Sequence, residues 1–160
     1  MDGRDSRLAA RFRKAVLDRD EARRQAEDEA KRGAERARAA RAQLLTELVV
    51  LAREIGVVQV APEPDGLTLR FGERYLHFGA EGDGDRLKVE FEGMGDEEHA
   101  LYRQAELGER WVYSRRRRNR DDRVPFYDAG LEELLVRGLG LPKPGEDEPP
   151  PAPSGGRKKL

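Results

Sequence analysis

A chain of 160 residues that is 39% charged and 37% apolar favours one domain with a small core. It contains no cysteine, which excludes disulfide frameworks, thiolate zinc sites and cysteine nucleophiles. The net charge of −1 hides an uneven distribution: +3 over residues 1–56, −7 over 57–108, +2 over 109–142 and +1 over 143–160, a pattern unlike that of a general polyanion binder.

The first fifty-odd residues read as one helix. From Ser6 to Ile55 there is no proline and a single glycine, Gly33, among strong helix formers. Ala37, Ala40, Leu44, Leu48, Leu51 and Ile55 recur at spacings of three and four, so residues 37–55 are expected to dock on a sheet, and Gly56 to stop the helix. Upstream, Ala22, Ala26, Ala30 and Ala34 make only a narrow methyl stripe between opposite charges at i,i+4: Asp20 with Arg24, Glu27 with Lys31, Asp28 with Arg32. Nearer the start, Leu8, Phe12, Val16 and Leu17 form a second apolar cluster. A heptad through Ala30, Ala34, Ala37, Leu44, Leu48 and Leu51 fails where Arg13, Asp20, Arg23 and Glu27 take seam positions, which argues against a long homodimeric coiled coil. Residues 1–36 therefore read as a charged helical arm carrying apolar anchors.

After Gly56 the period changes from helix to strand. Val57–Val60 begins a strand that Pro62 and Pro64 are expected to end; Leu67–Phe71 and Arg74–Phe78 alternate around Gly72-Glu73; Arg86–Glu92 places Leu87, Val89 and Phe91 on one face. His99–Gln104 and Arg110–Arg116 follow, separated by Gly108-Glu109, and Val124–Tyr127 reads as a last edge strand because Pro125 lacks a donor. Asp128 then reads as the N-cap of a short helix lined by Leu131, Leu134, Leu135 and Leu139, frayed at Gly138 and Gly140. Residues 143–160, rich in proline and charge, read as a disordered tail, in which Pro149–Pro153 favours polyproline II and Arg157, Lys158 and Lys159 are basic. The expected fold is α+β: a long N-terminal helix, an antiparallel meander of five to six strands and a short C-terminal helix, with one domain over 37–142. Both helices should cover one sheet face, leaving Thr68, Arg70, Tyr75, His77, Lys88 and Glu90 on a polar outer face.

The sharpest local signal is basic. Arg115, Arg116, Arg117 and Arg118, with Arg120 and Arg123, would make a ribbon on a hairpin whose tip is Asn119–Asp122, with Trp111 and Tyr113 able to stack on bases where exposed. Against this stand Asp121 and Asp122 at the tip, core packing of the two aromatics, and the charge that edge strands carry to resist pairing. Arginine outnumbers lysine 25 to 6 throughout, which weakens arguments from arginine alone. Glu81–Asp85 resembles a calcium loop, but Arg86 stands where the sharp turn requires glycine. Asp96, Glu97, Glu98 and His99 are consecutive and do not converge as metal ligands must. Two histidines and no cysteine leave little for zinc or nucleophilic chemistry, so no catalytic residue, metal or cofactor is assigned.

The longest apolar run, Leu48–Ala52, falls far short of the about 20 residues that span a bilayer, and residues 1–20 hold no apolar leader, so no membrane insertion and a cytoplasmic protein are expected. The sequence reads as a non-enzymatic protein-interaction module, an adaptor or accessory subunit, working through Leu8, Phe12, Val16 and Leu17 or the polar sheet face. Its alternative is a nucleic-acid binder using the hairpin 115–123.

Overall fold

The computed structural model describes residues 3–82, 84–104 and 110–145. Helix α1 runs unbroken over Gly3–Ile55, which at 1.5 Å per residue is about 80 Å. Gly56 ends it with φ 86°, a left-handed conformation that glycine adopts without strain, and its N–H bonds the Ala52 carbonyl at 3.1 Å. Only the last part of α1 is buried: Arg41, Leu44, Leu45, Leu48 and Ala52 face inward.

Seven strands follow in one antiparallel sheet whose spatial order is the chain order: β1 (Gln59–Glu63), β2 (Gly66–Phe71), β3 (Arg74–Ala80), β4 (Leu87–Phe91), β5 (Glu98–Gln104), β6 (Arg110–Arg117) and β7 (Arg120–Pro125). The count exceeds the expected five to six because both proline-bearing segments pair. Strand β1 does not end before Pro62 but runs through it, with Pro62 opposite Leu67, and Pro125 opposes Val112 at the far side. Each proline sits on an edge strand, where a missing donor costs least. The β6–β7 turn is Arg118-Asn119, tighter than the expected tip, with Arg118 at φ 53°.

The chain turns helical at Phe126, so β7 ends at Pro125, two residues before the expected end of the strand at Tyr127. Wide π turns over Phe126–Gly130 and Leu134–Gly138 flank a single α turn, Leu131–Glu133, which we label α2. Pro125 occupies the N-cap and no side chain caps the start, so Asp128 does not serve as the cap. Leu134 and Leu139 are fully buried, and Leu131 and Leu135 pack partly against them.

Register explains the core. Leu67, Leu69, Leu76, Phe78, Leu87, Val89, Phe91, Leu101, Trp111 and Tyr113 share one face of the sheet, and α1 and the segment 126–138 close over it. Nothing of this core extends below Ala40 in α1, so residues 3–36 project beyond it by roughly 50 Å. The separator Gly108-Glu109 and residues 146–160 of the expected tail lie outside the described residues.

Candidate functional site

Arm residues Leu8, Phe12, Val16 and Leu17 are 48, 64, 46 and 58% exposed. Around them the ion pairs are local and solvated: Lys14–Asp18 at 3.9 Å, Arg23–Asp20 and Arg23–Glu27 at 4.0 Å, and Arg32–Glu29 at 2.8 Å. The Arg32 guanidinium holds the Glu29 carboxyl below the ordinary carboxylate range. Such pairs stiffen a helix modestly and leave its apolar side chains uncovered.

At the opposite end of α1 lies an apolar groove of about 720 Å³, between Leu51, Ile55 and Val57 on one wall and Tyr127, Leu131, Leu135 and Leu141 on the other. Asp128 and Glu132 stand on its rim with Lys143. The Tyr127 hydroxyl donates to Glu47, and burial followed by this carboxylate pushes the phenol upward. That bond ties the start of the segment 126–138 to α1.

The arginine run is interlaced with carboxylates. Arg115 points inward, 2.6 Å from Glu133 and 3.5 Å from Asp122; Arg117 meets Asp96 at 3.1 Å; Arg120 meets Asp122 at 3.2 Å; and Arg123 meets Asp121 at 3.0 Å. Arg123 also lies 5.7 Å from the Tyr102 ring centre, and Arg116 sits across from Asp121 in the ladder. Arg118 is in the turn. A cavity of about 200 Å³ opens among Glu97, Arg115, Arg117, Arg120 and Asp122. Trp111 and Tyr113 are buried at 9 and 1% exposure, which removes them as stacking platforms.

Beneath the segment 126–138 lies a polar cluster that sequence reasoning missed. His99, buried on the core face, sits 3.0 Å from Glu97 through Nε2 and contacts the Tyr113 hydroxyl through Nδ1. The same hydroxyl lies 3.3 Å from Glu133, and Arg137 reaches Glu97 at 2.7 Å. Burial lowers the His99 pKa, with Glu97 pulling the other way, and burial and Glu133 raise that of Tyr113. Desolvation raises the Glu97 pKa, but the hydrogen bonds and charges of Arg137 and His99 together outweigh it and hold the carboxyl below its ordinary value. Glu133 and Arg137 belong to the segment 126–138 and the rest to β5, β6 and the turn before β5, so the cluster clamps helix to sheet. The signal was present: His99 shares strand parity with Leu101, and Tyr113 with Trp111.

On the outer face, Thr68, His77 and Glu90 stand in register across β2, β3 and β4. Thr68 donates to Glu63 at 2.7 Å, and His77 lies 2.9 Å from Glu63 and 3.6 Å from Glu90. Thr68 is buried, Tyr75, His77 and Glu90 are half-buried, and Arg70 and Lys88 are exposed. Glu63, Thr68, His77 and Glu90 satisfy one another. Among the described residues no group of three or more His, Asp or Glu is placed to hold a metal ion, and no helix is long and apolar enough to cross a membrane. Protein-family models, curated proteins and solved structures yield no match to this chain.

Proposed function

We propose that this chain is a non-enzymatic cytoplasmic interaction module whose working element is the N-terminal arm. One observation carries the reading: four large apolar side chains, Leu8, Phe12, Val16 and Leu17, stay roughly half exposed or more on a helix that leaves its own domain behind. A charged helix has no folding need for such residues, whereas a docking helix needs an anchor ridge. The alternative, nucleic-acid contact through Arg115, Arg116, Arg117, Arg118, Arg120 and Arg123, would require phosphates to displace Asp96, Asp121, Asp122 and Glu133 from guanidiniums they already hold.

The test is capture from native lysate by the full chain and by its Phe12→Asp variant, each with and without nuclease. Proteins retained after nuclease and lost in the variant are expected. Retention that Phe12→Asp leaves untouched would sink the arm as the working element, and partners lost on nuclease treatment would favour the hairpin.

A further inference from the structure

We infer that the arm's partner is a second copy of this chain, with Leu8, Phe12 and Val16 of each copy seated in the apolar groove of the other. The inference rests on the reading of the arm as a docking element and names what it docks to.

Three observations lead to it. First, shape and chemistry match: an open groove of about 720 Å³ walled by Leu51, Ile55, Val57 and Leu131 faces solvent, and Val57 and Tyr127 at its mouth are 60 and 50% exposed. The arm supplies an apolar ridge at i, i+4 and i+8, the spacing with which a helix fills a groove.

Second, the charges are complementary. Residues 4–19 carry six basic and two acidic side chains. The groove is bordered by Asp128, Glu132 and Lys143, and the adjoining turns of α1 carry the exposed Glu47 and Glu54 with Arg53, so acids outnumber bases there among the described residues. A basic arm therefore approaches an acidic rim.

Third, length forbids the contact within one chain and permits it between two. Phe12 and Ile55 lie 43 residues apart on one unbroken helix, about 65 Å along its axis. When two copies lie antiparallel, the same 65 Å brings Phe12 of each to Ile55 of the other, and both grooves fill at once. At 100° per residue, Leu8, Phe12 and Val16 fall on the side of α1 that carries Leu51 and Ile55, the half-buried residues of the groove wall, beyond Leu44 and Leu48, which the sheet already covers. This pairing needs apolar contact only at its two ends, so the charged positions that defeat a continuous heptad seam do not oppose it. The symmetry is isologous and closes at two copies.

The absence of cysteine allows a clean test by single-cysteine trapping. Phe12→Cys mixed with Val57→Cys should give a reducible dimer under mild oxidation, whereas Glu73→Cys, in the exposed β2–β3 turn, mixed with either should not. In sedimentation the full chain should run at twice 18.1 kDa. Phe12→Asp and Val57→Asp should each run at half the mass of the full chain, and both change exposed residues, so circular dichroism should be unaltered. A full chain that sediments as a monomer, or a dimer that both variants leave intact, would overturn the proposal. A monomer that still loses a lysate protein on Phe12→Asp would sink the second copy while sparing the arm. A monomer whose captured proteins ignore Phe12→Asp would remove both readings.

Discussion

Arg41 joins helix to sheet from a position that sequence patterning reserves for an apolar residue. Its side chain is 4% exposed, Nη1 donates to the Gly84 carbonyl at 2.5 Å, and Nη2 stands 3.6 Å from Asp65. One guanidinium thus fixes α1 against both the β1–β2 turn and the β3–β4 loop. The stem packs along the sheet while the head satisfies a carbonyl that would otherwise face the seam.

Replacing Arg41 with Ala should lower stability by about 2 kcal/mol, the range for a partly buried hydrogen bond to a charged group. Asp65→Ala should be near neutral, because that carboxylate is 71% exposed and its ion pair is screened. Urea titration of both variants separates the bond to Gly84 from the pair with Asp65. Equal losses would mean that the ion pair, rather than the carbonyl, carries the seam.

Stability should fall as pH drops from about 7 toward 5. Burial holds native His99 below its ordinary imidazole pKa, whereas the unfolded ring takes up a proton near 6.5. The unfolded chain therefore binds more protons in this window, and acid favours it. A second loss should begin near pH 4, where the unfolded chain takes up protons at Glu63, Glu97 and Asp121 while the fold still holds these carboxyls ionised. His99→Gln should abolish the first loss and keep the second; urea midpoints at several pH values decide this.

Gly130→Ala should cost about 1–3 kcal/mol by overpacking. A methyl group there would lie 2.8 Å from the Tyr113 Cβ and 3.2 Å from the Pro125 carbonyl, neither of which can move freely. Gly33→Ala, with only the end of Arg36 at 3.8 Å, should be neutral or slightly stabilising, as expected for alanine in an exposed helix. Thermal unfolding of the two variants compares a close approach with open space.

Arm and core should respond unequally to side-chain truncation. Leu48→Ala, at a position 2% exposed, should destabilise by about 2–5 kcal/mol through the cavity it leaves. Phe12→Ala, at 64% exposure, should stay within about 0.5 kcal/mol at concentrations below association. A large loss at Phe12 in a monomer would mean that the arm folds back on the domain.

How far the sequence could be read follows from what each element buries. Strands β2, β3, β4 and β6 were legible because Leu67, Leu69, Leu76, Phe78, Leu87 and Val89 alternate against polar neighbours. The edges were harder: Pro62 and Pro125 carry a breaker's signature, yet an edge strand forgives the missing donor. Arm residues Leu8 and Phe12 were readable as a cluster, because helical spacing is local. The groove was not, since its two walls are some 75 residues apart, from Leu51 and Ile55 to Leu131. Strand parity placed His99 and Tyr113 on the core face, but the bonds of Arg41 to Gly84, of Tyr113 to Glu133 and of Arg137 to Glu97 were not legible for the same reason: the partners are distant in sequence.

The strictly sequential order of β1 to β7 bears on how quickly this chain reaches its native state. Every ladder joins neighbours along the backbone, so each strand docks on one that has just formed and closes only a short loop. Helix α1 nucleates on its own turns in the same way. Among the described residues the main long-separation closures are α1 settling on the sheet and the segment 126–138 returning to β3 and β6. Folding should therefore be fast for a seven-stranded protein, which stopped-flow refolding would measure.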